Sequence, residues 1–555
     1  MHNINFGRKL KSCRMCASDE LYEFLDLGFV PPADGILSKE EIEHPEIFFP
    51  LKVAQCENCG LTQLSYATNP ELLYDDKYKY ESSITETGKK HFWGMADSIC
   101  KELNLQEQSL VVDIGSNVGV LLEGFKNNNM TVLGIDPAPK IVQIANQRGI
   151  ETWQSFINQE VARKVVETKG KAKVITGTNV FAHIDDKQGL MESLKIMLDE
   201  EGVFIVEAPY LTDLLDKLEY DTIYLDHLEY ISVKPLINFF NKYNMDLFNV
   251  EKYDIHGTSI RFFACWKGKR QISENVKKFL EIEEEKGVYK KEMLDKFATK
   301  VKEHKKDFTN LLRDLKKEGK KIVGISAPAK GNTLLNYCKI HDDLIDYATE
   351  KSTIKIGHYT PGMHIPIVKE EKLLDDKPDY GIIFAWNFAE EIMKNNQKFV
   401  KQGGKFIIPI PYPRIVGGNK KMHGVTIKPI DPVFMDSRGM ISDILNTKLN
   451  HVGLITTTAG SVRANHYHKE SIQYSYITAG KFQVLIAPAD NPNDVTVLTL
   501  CAGELITIPA KVIHRFKAIE DATMIDMISE SREGTGYEDD VVRTNIEEPK
   551  HDSSM

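Results

Sequence analysis

The chain has 555 residues, 42% of them hydrophobic and 27% charged, the composition of a soluble globular protein with room for three or four domains. Its net charge of −10 argues against a broad nucleic-acid surface. No stretch approaches the roughly 18 apolar residues that span a bilayer, and the opening residues lack a signal-peptide core, so the expected compartment is the cytoplasm, with no membrane partner.

Residues 1–85 carry Cys13-x-x-Cys16 and Cys56-x-x-Cys59. Two tight turns, each presenting two thiolates, supply the four ligands of a tetrahedral zinc, and a site filled by thiolates keeps no open position for water. The expectation is a structural zinc tying a small lobe together. Eight cysteines are too few for a disulfide scaffold, so Cys100, Cys265, Cys338 and Cys501 read as reduced core residues.

From 86 to 268 apolar strands alternate with helices. Strands are predicted at Leu110–Ile114, 131–135, 173–176 and 203–207, a spacing that suits βα units in a parallel, Rossmann-like sheet. The first strand runs into Asp113-Ile114-Gly115-Ser116-Asn117-Val118-Gly119. Asn117 stands where a dinucleotide pyrophosphate needs glycine, whereas S-adenosylmethionine carries no phosphate and tolerates the change. Asp113, Gly115, Asn117 and Gly119 are therefore cofactor-loop candidates. Asp136 ends the next strand, where a carboxylate can accept both ribose hydroxyls. Asn179, in Thr178-Asn179-Val180-Phe181-Ala182-His183, falls at the carboxyl edge of the sheet, where such folds bind ligands. Glu207 reads as a substrate contact. His183, Tyr224, Asp226 and His227 at one sheet edge would form the kind of cluster that proton abstraction requires.

Residues 269–416 read as a charged helical connector followed by a second α/β, Rossmann-like domain that begins at Lys321-Ile322-Val323-Gly324. In the connector Leu294, Phe297, Val301, Phe308, Leu311 and Leu315 fall near helical spacing, so one face should pack against a neighbour. After Gly417-Gly418-Asn419 the texture changes to short strands and turns, predicting an all-β barrel over 422–555. Gly460-x5-His466-x-His468-x4-Gln473 and Gly503-x5-Pro509-x4-His514 fit the paired cupin motifs.

From about residue 10 to 415 the chain resembles the nucleotide-sugar 3-C-methyltransferases of branched deoxysugar pathways. The resemblance rests on the paired knuckles, Tyr78-Lys79-Tyr80-Glu81-Ser82-Ser83, the 113–119 loop, Asn179-Val180-Phe181-Ala182-His183, residues 224–227 and His256-Gly257-Thr258-Ser259-Ile260-Arg261. The later stretches Ala327-Pro328-Ala329-Lys330-Gly331-Asn332 and Tyr359-Thr360-Pro361-Gly362-Met363-His364 belong to it as well. It implies S-adenosylmethionine as cofactor and a nucleotide-diphosphate 4-keto sugar as substrate, methylated at C3 through an enolate. It puts His227 or Tyr224 in the base role, with His183 and Asp226 assisting. Tyr78 and Tyr80 should face sugar or nucleotide, and Lys330 and Asn332, at the opening of a helix, the diphosphate. The family stretch usually reads Tyr-His-Glu-His, and here Leu225 and Asp226 occupy its middle.

The barrel admits three readings. His466, His468 and His514, with Gln473 as a fourth ligand, could hold a divalent metal. Alternatively, Arg463-Ala464-Asn465-His466-Tyr467-His468 looks like the metal-free deoxysugar 3,4-ketoisomerases, which implies proton transfer by His466 and His468 with Arg463 on the substrate. The third reading is a structural barrel that forms a homodimer. The leading expectation is a bifunctional enzyme. The competing class is a nucleotide-sugar-binding scaffold, against which the intact His227 and cofactor loop count.

Overall fold

Leu110–Ile114 is buried at every position, as a strand covered on both faces must be. It lies inside a seven-stranded sheet ordered Met245–Tyr253, Ser259–Trp266, Leu198–Pro209, Ala172–Thr178, Leu110–Ile114, Thr131–Asp136, Thr152–Gln154. The five strands between 110 and 209 pair in parallel. The other two form an antiparallel hairpin against Leu198–Pro209. Their connection is too short for a crossover helix, so only antiparallel pairing is open to them.

The computed structural model describes residues 5–74, 86–253, 258–416, 422–430, 434–436, 439–531 and 536–547. Tyr78, Tyr80 and His256 lie outside these residues. The chain divides into two compact units, Met1–Gly417 and Gly418–Met555.

In the first unit, the cysteine-bearing lobe is built on the antiparallel strands Leu21–Val30, Phe49–Cys56 and Thr62–Leu64. Its fourth strand comes from far along the chain. Glu229–Tyr230 pairs with Thr62–Leu64 in the register Glu229↔Gln63 and Tyr230↔Thr62, so the segment that follows Tyr224, Asp226 and His227 is stitched into the lobe. The connector is two helices, Glu274–Glu285 and Lys291–Lys317, separated at Gly287, whose φ of +65° a glycine adopts at little cost. Leu294, Phe297, Val301, Phe308 and Leu315 are buried as their spacing predicts, and Leu312 and His304 join them. They share one core with Leu25 and Leu51 of the lobe and Ile322 and Leu334 of the second α/β fold. That fold has the sheet order Ile367–Lys369, Ala348–Glu350, Ile322–Ile325, Tyr380–Ile383, Lys405–Ile408, Arg414–Val416, parallel up to its last strand.

The second unit holds two five-stranded antiparallel sheets. Ile477, Ile506 and Met524 of one meet Phe482, Val484 and Phe516 of the other in a shared core. Among the described residues no helix is long and apolar enough to cross a membrane.

Candidate active site

The four knuckle cysteines converge, with every Sγ within 4.8 Å of the others. Cys13 and Cys59 are 3.6 Å apart and Cys16 and Cys56 are 3.5 Å apart. A tetrahedron with Zn–S bonds of about 2.3 Å has edges of about 3.8 Å, so the thiolates fit zinc with little adjustment. No cysteine forms a disulfide, and Cys265 and Cys338 are buried while Cys100 and Cys501 are half-buried.

Arg14, between the knuckle cysteines, ties the lobe to the loops beside the sheet. Its guanidinium donates to the Leu64 and Leu228 carbonyls at 3.0 and 3.3 Å and to Asp185 at 3.0 Å. Close by, Lys187 pairs with buried Glu229 at 3.0 Å and also donates to the Phe181 carbonyl.

The 113–119 loop leaves Leu110–Ile114 and enters the helix Val120–Asn127. Gly115, Asn117 and Gly119 have φ of +69°, +47° and +81°. At Gly115 a Cβ would stand 2.5 Å from the Val180 side chain, so the turn requires glycine. Asp136 is buried, accepting from the Ala138 amide at 3.0 Å and the Asn117 amide at 2.9 Å. Burial raises its pKa, against those two bonds. The Ser116 hydroxyl is buried without a hydrogen-bond partner. A shaped glycine turn, a carboxylate with lone pairs still available and an orphaned hydroxyl suit the ribose and polar groups of S-adenosylmethionine. Asp113 lies beneath the loop, 1% exposed, accepting from the Thr176 hydroxyl at 2.7 Å. Burial pushes its pKa up to about 7.

Asn179, at φ +54°, donates its amide to the Glu207 carbonyl at 2.7 Å and lines a small pocket of about 10 Å³, the room of one water. His183, Thr222 and His227 line the same pocket. The His183 and His227 rings are 5.0 Å apart, and Tyr224 lies over His227 at 3.9 Å. His227 Nδ1 is 2.7 Å from the Thr222 carbonyl. A carbonyl cannot donate, so Nδ1 carries the proton and Nε2 is the basic nitrogen. His183 Nδ1 is 2.9 Å from the Tyr74 hydroxyl. Burial, then His227 and Lys187, hold the His183 pKa well below the usual imidazole value, so its ring is neutral. Asp226 is buried, and burial together with Asp34 pushes its pKa up to about 7.

Glu207 is fully buried, accepting from Arg261 at 2.7 and 3.1 Å and lying 2.6 Å from His91 Nε2. Burial opposes its charge, but these partners hold its pKa below the usual value. Both oxygens have partners within the protein. Lys330 donates to Asn387 Oδ1 at 2.6 Å over the Trp386 face. Asn332 donates to the Ala33 carbonyl at 2.6 Å and keeps its Oδ1 buried and unbonded. One Nδ2 hydrogen and the Oδ1 acceptor thus remain without a side-chain partner.

Tyr74, Asp34, His91, Arg261 and Thr222 had no role in the sequence reading. For Arg261 a signal existed, since a cation inside the apolar run Ile260-Arg261-Phe262-Phe263 needs a buried counter-charge. Asp34, within Pro31-Pro32-Ala33-Asp34-Gly35, reads only as a turn.

In the second unit His466, His468 and His514 lie together, their ligand atoms within 4.8 Å. His468 Nδ1 faces Asp540 at 2.8 Å and Nε2 faces Gln473 Oε1 at 3.1 Å. The Gln473 amide nitrogen donates to Asp526 at 2.8 Å, which turns its oxygen toward His468. In this arrangement His468 stands between Asp540 and the Gln473 oxygen. His514 donates from Nδ1 to the Val512 carbonyl at 3.0 Å, and burial holds its pKa well below the usual value. Arg463 is exposed, bonded to the Thr456 carbonyl at 2.9 Å.

Comparison with known proteins matches this geometry. Residues 13–74 match a family model for a zinc binding domain, 92–250 a methyltransferase domain, and 254–411 a C-methyltransferase C-terminal domain. The C-methyltransferase NovU of Streptomyces niveus is 32% identical over 416 residues, covering 75% of this chain and 99% of that protein. The chain belongs to the C-methyltransferase family. The methyltransferase domain implies S-adenosylmethionine as methyl donor, and the four-cysteine cluster sits in the zinc binding domain. This C-methyltransferase carries in addition a cupin, matched over residues 443–538. Over 22% of this chain and 90% of its own, the sugar 3,4-ketoisomerase QdtA from Thermoanaerobacterium thermosaccharolyticum is 17% identical, with a TM-score of 0.20. The dTDP-4-dehydrorhamnose 3,5-epimerase from Sulfolobus tokodaii is 18% identical over 20% and 74% of the two chains, with a TM-score of 0.19. At that level of likeness neither assigns the cupin an activity.

Proposed function

We propose that this enzyme methylates C3 of a nucleotide-diphosphate 4-keto-6-deoxy sugar, and that its cupin acts on the same class of sugar as an epimerase or isomerase. The observation that carries the first part is the His183–His227 pair, with His227 held by Thr222 in the tautomer whose Nε2 can take a proton. The 4-keto group acidifies the C3 hydrogen, and His227 Nε2 removes it. Tyr224, packed on the imidazole, orients it. His183, neutral and buried, faces the charge that develops on the C4 oxygen, as a preorganised donor should. When bound at the 113–119 loop and Asp136, S-adenosylmethionine supplies an electrophilic methyl group. Lys330 offers a cation to the nucleotide diphosphate.

For the cupin, the supporting observation is the cluster of His466, His468 and His514, with His468 between Asp540 and Gln473, because an imidazole can both take and return a proton. Once C3 bears a methyl and a hydroxyl it has no hydrogen. The cupin therefore works at C3 before methylation or at C5 after it.

Methyl-labelled S-adenosylmethionine incubated with thymidine- and guanosine-diphosphate 4-keto-6-deoxyhexoses tests the reading. Label should enter the sugar at C3, and His227→Ala should slow transfer by about 10²–10⁴ while leaving cofactor binding intact. Label that appears with neither sugar, although the cofactor binds, would end the proposal.

A further inference from the structure

The Thr222 carbonyl, which accepts from His227 Nδ1 at 2.7 Å, belongs to a single 3-10 turn, Tyr220–Thr222, buried at all three positions. The turn makes few bonds of its own. The Thr222 and Ile223 amides donate to the Glu219 and Tyr220 carbonyls at 3.1 Å, and the Thr222 hydroxyl donates to the Glu219 carbonyl at 2.7 Å. So short a helix keeps its shape only where tertiary partners fix it.

Those partners come from further along the chain. Trp386 Nε1 donates to Asp221 Oδ2 at 2.6 Å, and the Thr333 hydroxyl donates to the Ile223 carbonyl at 3.2 Å. Both belong to the second α/β fold, and they hold the residues immediately before and after Thr222. A third hold is on Tyr220. His304 of the connector helix faces the Pro409 carbonyl from Nε2 at 2.7 Å, so that nitrogen donates, and Nδ1 accepts from the Tyr220 hydroxyl at 2.9 Å. Burial lowers the His304 pKa, which keeps the ring neutral.

Trp386 stands in the stretch Ala385-Trp386-Asn387-Phe388, just after the strand Tyr380–Ile383. Its indole has one N–H and spends it on Asp221. Asp221 is fully buried, and a donor facing a carboxylate away from water makes one of the stronger hydrogen bonds. Burial raises the Asp221 pKa to about 6, against Lys330 and Trp386, so it is ionised in mildly alkaline solution. We propose that Trp386, acting through Asp221, is a positioning residue for the base: it holds the Thr222 carbonyl where His227 Nδ1–H meets it, so that Nε2 keeps the lone pair that takes the C3 proton. This rests on the C-methylation reading above. The second α/β fold thus sets the tautomer of a base that belongs to the first.

Trp386→Phe in the full chain removes the N–H and keeps an aromatic face beneath Lys330. With the sugar nucleotide that takes label in the methyl-transfer assay, kcat should fall about tenfold to a hundredfold. KM for the sugar and affinity for S-adenosylmethionine should stay within about twofold. Asp221→Asn still offers the indole an oxygen and should hold kcat within about threefold, whereas Asp221→Ala should match Trp386→Phe. Unchanged kcat in Trp386→Phe, an effect confined to KM, or a loss in Asp221→Asn as large as in Asp221→Ala would overturn the proposal.

Ring-15N spectra of histidine-labelled protein at about pH 8, with His227 assigned by His227→Asn, read the tautomer without turnover. The wild type should carry the proton on Nδ1, and Trp386→Phe should show both tautomers. A wild type protonated on Nε2, or a variant spectrum identical to the wild type, overturns the positioning role. If the unpaired carboxylate unfolds the single variant, Trp386→Phe combined with Asp221→Leu leaves neither partner buried alone. That chain should show the same mixed tautomers, and a wild-type spectrum from it overturns the role as well. Mixed tautomers in Trp386→Phe, beside a wild type that methylates no sugar, sink the C-methylation reading and leave the positioning role standing.

Discussion

Asp113 should cost the fold stability at neutral pH, and Asp113→Asn should recover it. The carboxyl is 1% exposed with one donor, the Thr176 hydroxyl. Burial, opposed by Thr176 and reinforced by Asp136, moves its pKa from 3.8 to about 7. The folded state thus binds a proton that the unfolded chain has released over that whole range. Stability falls where the native state binds more protons, so the Asp113 contribution declines from about pH 4 to about pH 7 and is flat above. At about 1.4 kcal/mol per pKa unit the full penalty is about 4 kcal/mol, of which about 3 kcal/mol accrues between pH 5 and pH 8. Asparagine cannot ionise, and its Oδ1 can still accept from Thr176. All four tryptophans, Trp93, Trp153, Trp266 and Trp386, lie within residues 1–417, so urea unfolding followed by tryptophan fluorescence reports this unit alone. The stability difference between variant and wild type should widen by about 3 kcal/mol in favour of asparagine from pH 5 to pH 8. Curves parallel to within about 1 kcal/mol would refute an unfavourably ionised Asp113.

Asp136→Ala removes the acceptor for two ribose hydroxyls and should weaken S-adenosylmethionine about tenfold to a hundredfold by calorimetry, about 1–3 kcal/mol. Arg261→Met strips the charge from the Glu207 pair and leaves a buried carboxylate with only His91, costing about 3–5 kcal/mol in the same urea assay. Cys16→Ser opens one corner of the thiolate tetrahedron, so elemental analysis should find well under one zinc per chain and protease should cut the lobe first. In a chain already carrying His227→Ala, His468→Asn should abolish any remaining deuterium exchange into a 4-keto nucleotide sugar, measured by mass spectrometry. Exchange that persists in the double variant assigns the proton transfer elsewhere in the chain.

Residues 110–114, the knuckle spacing and the 113–119 loop were legible in the sequence because they encode local physics. A strand buried on both faces is a continuous apolar run, a zinc turn needs two cysteines three positions apart, and a tight turn needs glycine at positive φ. The helix Lys291–Lys317 was legible for the same reason, since its buried stripe repeats at helical spacing. The hairpin Met245–Tyr253 with Ser259–Trp266 was not, because apolar content does not say which way a strand runs. Tyr74 and Asp34 have no motif around them, and they matter because the fold sets Tyr74 against His183 and Asp34 beside Asp226. Glu207 has Arg261 as a partner only because the adjacent strand delivers it, and Asn332 bonds the Ala33 carbonyl only because the lobe comes to it. Residue type alone determined what chemistry these side chains could do. Which of their atoms remain to do it depended on long-range partners, because a buried polar atom must bond to whatever tertiary packing brings within reach.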